Sequence, residues 1–182
     1  MKLNISFLNF KKNHKNKKDQ ILYIKKRCKS YERIENLFRF LLVEKNSFLF
    51  ESVEKGKVRG RYTIIGLNPD KLWNITKNKV VLISNNKRSF LKVNPLNYVN
   101  NLIKKFKIKI PNGIPSMASI LVGYFSYDVI RYVEKIPDKC KDDLKIPDIR
   151  LSRPQNLIIY DNLKKEIYYI QNIFSDYKIK NY

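Results

Sequence analysis

The sequence predicts an α+β protein: mostly antiparallel sheets packed with about three helices. Three observations carry that expectation. Short runs of β-branched and aromatic residues recur along most of the chain, separated by Asn, Gly and Pro turn signals. Two stretches switch to the three- and four-residue spacing of a helix face. Strands and helices do not alternate strictly, which argues against a wound parallel sheet.

Taken in order, residues 1–20 hold Lys11, Lys12, Lys15, Lys17 and Lys18 among Asn13, His14 and Asn16, and read as a basic, solvated, mobile arm. Ile21-Leu22-Tyr23-Ile24 is a strand candidate. From Ser30, a plausible N-cap, Ile34, Leu37, Phe38, Leu41 and Leu42 share one helix face, and Asn46 suits a left-handed stop. Ser47 to Val53 reads as a strand, Glu54 to Gly60 as a polar loop, Arg61 to Leu67 as a second strand and Asn68-Pro69-Asp70 as a turn. Leu72–Ile75 and Val80–Ile83 flank the turn residues Lys77-Asn78, and Asn85-Asn86 closes a hairpin into Ser89–Val93. Pro95 opens a helix whose face carries Leu96, Val99, Leu102, Ile103 and Phe106. After a connector with Pro111, Gly113 and Pro115, Ala118 to Phe125 reads as a buried strand. Ser126-Tyr127-Asp128 leads into a short helix through Ile130 and Val133, and Pro137 to Pro147 is a charged loop. Leu157–Tyr160 and Glu166–Ile170 around Asp161-Asn162 form a hairpin. The expected organisation is an arm over 1–20, one domain over 21–175 and a tail over 176–182.

With 182 residues, 43% hydrophobic and 13% aromatic, the chain has enough apolar material for a packed core, which excludes wholesale disorder. No stretch approaches ~18 apolar residues, so no membrane span or membrane partner is expected, and the first residues are too polar for a secretory core. A cytoplasmic location follows as the expectation. The net charge of +22 points towards nucleic acid if taken alone. Codon composition offers a duller cause. Lys is about three times as common as Arg, Asn, Ile, Tyr and Phe are abundant, and Ala118 is the only alanine, as an A- and T-rich coding sequence would produce. A nucleic-acid partner is therefore the second reading, not the first.

Catalytic sets are hard to find. The single histidine, His14, lies in the basic arm, which disfavours a histidine-based triad. Cys28 and Cys140 lack a positioned base and read as idle thiols. Gly56, Gly60 and Gly66 do not have the spacing of a phosphate-binding loop. Asp138, Asp142 and Asp143 sit with Lys139, Lys141 and Lys145 in a solvated loop, so a metal site there is disfavoured. No cofactor is expected in this chain. The residues by themselves lead to a non-catalytic domain that binds a ligand or partner.

Three ordered motifs then carry a resemblance. The first is Ser47-Phe48-Leu49-Phe50-Glu51-Ser52-Val53-Glu54, continuing through Arg59-Gly60-Arg61-Tyr62 to Asn68-Pro69. The second is Leu121-Val122-Gly123-Tyr124-Phe125-Ser126-Tyr127-Asp128, with Arg131-Tyr132-Val133-Glu134. The third is Ile146-Pro147-Asp148, then Arg153-Pro154 and Ile159-Tyr160-Asp161-Asn162. Over roughly residues 21–175 the chain resembles the N-terminal domain of anthranilate synthase component I. The Glu51–Glu54 and Arg59–Tyr62 blocks favour that branch over aminodeoxychorismate synthase. Departures are Phe50 for a leucine, Lys29-Ser30-Tyr31 for a threonine-proline pair, and Ala118-Ser119-Ile120 for a glycine pair.

The resemblance implies the family's α+β fold and a role in converting chorismate to anthranilate, in tryptophan synthesis. It implies that Mg²⁺ and chorismate bind in a C-terminal domain absent from this sequence, so no catalytic residue carries over. It also implies partners: a chorismate-binding half, a glutamine amidotransferase subunit and the feedback inhibitor L-tryptophan. Glu51, Ser52 and Arg61 match the inhibitor-contact positions. A serine hydroxyl and strand-end backbone groups suit an amino acid's ammonium and carboxylate, and an arginine suits a carboxylate. Gly123 is expected to admit a close backbone approach, and Asp128 to cap a helix or pair with Arg131. Alternatives from other classes are a basic nucleic-acid-binding module and a non-functional gene remnant.

Overall fold

The computed structural model describes residues 3–51, 60–137, 139 and 141–176, with the side chains of 31–33 outside that description. It is an α+β fold, as the sequence predicts. In chain order the elements are α1 (Phe7–Lys15), β1 (Gln20–Arg27), α2 (Tyr31–Leu41), β2 (Phe48–Phe50), β3 (Tyr62–Thr76), β4 (Lys79–Ser84), β5 (Lys87–Lys92), α3 (Pro95–Lys105), β6 (Val122–Phe125), β7 (Ile149–Asp161) and β8 (Glu166–Ile173). Short 3₁₀ turns lie at Ser116–Ala118 and Tyr127–Tyr132. The strands follow the order β1-β8-β7-β3-β4-β5, with β2 on β3 and β6 on β7. All the pairings resolved along these ladders are antiparallel.

The chain divides into two compact units. One comprises residues 1–69, 108–120 and 154–182, and the other 70–107 and 121–153. Both divisions inside strands fall at a proline, between Pro69 and Asp70 in β3 and between Arg153 and Pro154 in β7.

In the first unit the sheet is buried on both faces. Ile21, Ile64, Leu157, Ile159, Tyr168 and Ile170 point to one side, where Ala118 and the partly buried Ile108, Ile110 and Ile114 cover them. The alternate residues Ile65, Leu67, Ile158, Tyr160 and Ile167 point to the other, under Ile34 and Phe38 of α2. Two covered faces explain why Ile64-Ile65 and Leu157–Tyr160 read as unbroken apolar runs, not as an alternation. The Phe48 ring lies over Gly66, its cross-strand partner, in space that a Cβ would occupy. Within 1–20, where a mobile arm is expected, α1 forms instead. Ser6 Oγ accepts from the Asn9 amide and basic residues fill the last turn, so the helix is capped and charge-matched although it buries nothing. Asn4 fastens the segment to β1 through Ile21 O and the Tyr23 amide.

In the second unit one core face forms. Trp73, Ile75, Val80, Ile149 and Leu151 pack with Val99 of α3 and, partly buried, Tyr98 and Leu102. Pro95 stands in the first turn of α3 and Asn94 caps it, accepting from the Asn97 amide at 3.0 Å. Ile103, expected on the buried face, is exposed. The β4–β5 hairpin turns on Asn85 and Asn86 at φ 51° and 60°, the left-handed pair that a two-residue turn of this kind requires.

Two strand expectations need correction. Asn68-Pro69-Asp70 is not a turn but part of the continuous β3. Asn68 takes a left-handed φ of 50°, a local kink that the strand absorbs. On the edge that β3 shares with β2 and β4, Pro69 falls between the end of the β2 register at Gly66 and the start of the β4 register at Lys71, so no ladder bond on that edge needs its missing amide. Ala118–Phe125 is not one strand. Ala118 ends a 3₁₀ turn and β6 is only Val122–Phe125.

Candidate functional site

Glu51 and Arg61 lie at the same end of the β2–β3 ladder. Phe50 pairs with Ile64, so Glu51 emerges where Arg61 enters. Residues 52–59 join them and, with Ser52, lie outside the described residues, as do Asp138 and Cys140. Glu51 is exposed. Gly60 takes a φ of 78°, which favours glycine at the point where the chain turns into β3.

Arg61 holds a carboxylate of its own chain. Its Nε donates to Asp161 Oδ1 and Oδ2 at 3.1 and 3.2 Å, and its Nη2 donates to Oδ2 at 2.8 Å. This is a forked pair. Asp161 is buried at 1% exposure while Arg61 keeps 31%. Asp161 Oδ1 also accepts from the Leu163 and Lys164 amides, both at 3.0 Å, and so caps the β7–β8 turn. Burial pushes the Asp161 carboxyl up, but the Arg61 hydrogen bond and the two turn amides outweigh it and hold the group below the usual carboxylate range. The Arg61 guanidinium stacks over the Tyr62 ring, 4.8 Å to the centroid. Burial, then the charge of Asp161, raises the Tyr62 phenol. Asn162 completes the junction: its amide donates to Arg61 O at 2.7 Å and its Nδ2 to Gly60 O at 3.3 Å. On the adjoining strand Tyr168 donates to Glu166 at 2.7 Å, and Lys25 lies 3.6 Å from the same carboxylate.

The other motif residues have structural partners. Asp148 Oδ2 accepts from Tyr132 Oη at 2.5 Å and from the Lys77 amide at 2.8 Å. Burial and then this bond push the Tyr132 phenol far up. Arg131 Nε donates to Asp128 at 2.7 Å, the pairing that their spacing predicts. Gly123 packs against the Arg150 carbonyl, the close approach expected of it. Arg153 and Asp70 form a buried forked pair at 2.8 and 2.5 Å. The sequence places Asp161 at a hairpin turn, Asp70 in an expected turn and Asp148 in a motif, but marks none of the three as the partner of a distant side chain. The partner of Arg61 is 100 residues away and that of Arg153 is 83 residues away.

This arrangement positions groups through ion pairs and hydrogen bonds between strands and turns. Among the described residues no three His, Cys, Asp or Glu side chains gather as metal ligands, and no helix is long and apolar enough to cross a membrane.

Comparison with known proteins identifies the relatives. The chain is 30% identical over 167 residues to anthranilate synthase component 1 of Cereibacter sphaeroides, an alignment covering 89% of this chain. By sequence, it is a homologue of part of anthranilate synthase component 1. The same enzyme component of Acetivibrio thermocellus is 36% identical over 128 residues, 69% of this chain. The chloroplastic anthranilate synthase alpha subunit 1 of Oryza sativa subsp. japonica is 31% identical over 138 residues, 70% of this chain. The chain spans 33%, 26% and 24% of those three relatives respectively. No family model matches it.

Proposed function

We propose that the chain is the N-terminal regulatory portion of an anthranilate synthase component 1, acting in the cytoplasm in tryptophan biosynthesis. It carries part of the tryptophan feedback site and depends on a chorismate-binding half, and through that half on a glutamine amidotransferase subunit, for activity. It performs no bond-making itself. The observation that supports this reading is an alignment to anthranilate synthase component 1 over 89% of the chain, joined to the convergence of Glu51 and Arg61 at one ladder end.

In this reading Ser52 gives the ligand its direct hydrogen bond. Glu51 faces the ammonium. Arg61 acts with Asp161 already in its fork, so it contributes through its exposed edge and by fixing the start of β3, not as a bare cation awaiting a carboxylate. The test is tryptophan inhibition of anthranilate formation by the chain assembled with a chorismate-binding half. Ser52→Ala should raise the half-inhibiting tryptophan concentration roughly tenfold or more, the cost of one hydrogen bond to a charged group, with the uninhibited rate unchanged. Equal inhibition of wild type and variant would remove Ser52 from the site.

A further inference from the structure

We propose that the open face of the β4–β5 ribbon binds single-stranded nucleic acid. The first observation is a segregation of charge. Residues 71–107 contain nine Lys or Arg and no Asp or Glu. An even spread of the chain's sixteen acids would put about three there. Coding bias acts along the whole chain and does not by itself clear the acids from one segment.

The second observation is register. Val80 and Leu82 of β4 face the core of their unit, so the alternate positions face away from it. Lys79 pairs with Lys92, Val81 with Phe90 and Ile83 with Arg88. One face of the ribbon therefore carries Arg88, Phe90 and Lys92 in alternation along β5, with Lys79 across from them. Lys79 Nζ sits 5.0 Å from the Phe90 ring centroid. Phe90 is 60% exposed and its whole strand lies open.

An exposed aromatic ring between cations is the chemistry of a base-stacking platform. The ring takes the face of an unpaired base and the flanking charges take phosphates on either side. Arg88 and Lys92 are four residues apart on an extended strand, about 13 Å, which leaves room for that arrangement. A duplex offers no free base face to Phe90. An acidic peptide would satisfy the cations and leave the ring unused. The apolar part of this face, Phe90 with the half-buried Val81 and Ile83 across from β5, is too small for a lipid surface.

The experiment is fluorescence anisotropy of the full chain with a labelled oligo-uridine of about 12 nucleotides, starting at about 50 mM salt. Binding is expected, with log affinity falling against log salt at a slope of about −2, for three phosphates neutralised by Lys79, Arg88 and Lys92. Phe90→Ala should weaken binding roughly 5- to 150-fold and keep the slope, whereas Phe90→Tyr should retain affinity. The double variant Arg88→Gln, Lys92→Gln should make the slope shallower by about 1.4. Lys11→Gln with Lys12→Gln, in the equally basic α1, should change little. If Phe90→Ala loses its fold by circular dichroism, Phe90→Leu must show the same loss of affinity. The proposal is overturned by no binding at about 50 mM salt, by undiminished binding of the Phe90 variants, by equal affinity for a duplex, by competition from polyglutamate at equal charge, or by an equal loss in the α1 variant.

Discussion

Arg61 shows how a residue matched by family position acquires a different first partner in the fold. The resemblance marks it for a ligand carboxylate, and the geometry gives it Asp161. The pairing has a pH signature. The folded Asp161 carboxyl titrates below its ordinary value, and an unfolded aspartate titrates near 3.9. The stabilisation is therefore fully present above about pH 5. It is lost as pH falls through the folded value. Asp161→Asn should be less stable than wild type at pH 7 by about 1–2 kcal/mol, since an amide accepts less strongly from the turn amides and turns a donor on the guanidinium. Urea midpoints should show that gap closing below pH 4, and a gap of the same size at pH 7 and pH 3 would refute the pairing's role. At this scale the sequence was a partial guide. Arg131 and Asp128 are three residues apart and their contact was foreseeable. The partners of Arg61 and Arg153 lie on other strands, where local pattern carries no information.

At the scale of elements, hairpins and helix faces were legible because their causes are local. Asn85-Asn86 supplies the left-handed pair, Pro95 opens a helix, and Ile34 and Phe38 mark a buried stripe. The length of β3 was not legible, because Asn68-Pro69 carries every local mark of a turn and only strand pairing on either side overrides it. The α1 helix was missed because a run of Lys and Asn has no apolar period, and its order comes from a serine cap and from Asn4 docking on β1. Gly123 tests β6, the part of the expected Ala118–Phe125 strand that forms. A Cβ there meets the Arg150 backbone, which has no flexible end to move aside. Gly123→Ala should cost about 1–3 kcal/mol by overpacking and speed hydrogen exchange at the β6–β7 amides. Unchanged exchange would mean that the two strands are not held at this separation.

At the scale of the whole molecule, the fold class was read correctly because apolar runs set off by turn residues, and two helix-period stretches, recur along most of the chain. The two-unit organisation was not read. Its divisions fall inside long strands at Pro69 and Pro154, without the polar linker that marks a boundary in sequence. The motif residues described here mostly secure loops and ladders: Asp148 ties Tyr132 to the Lys77 amide, and Asp161 ties the β7–β8 turn to Arg61. The most direct measurement is anthranilate production from chorismate and ammonia, assayed with the purified chain alone, then with a chorismate-binding half added, each with and without tryptophan. No product from the chain alone, and a tryptophan-sensitive rate in the assembly, are the predicted results. Anthranilate made by the chain alone, or an assembly whose rate ignores tryptophan, would contradict the account.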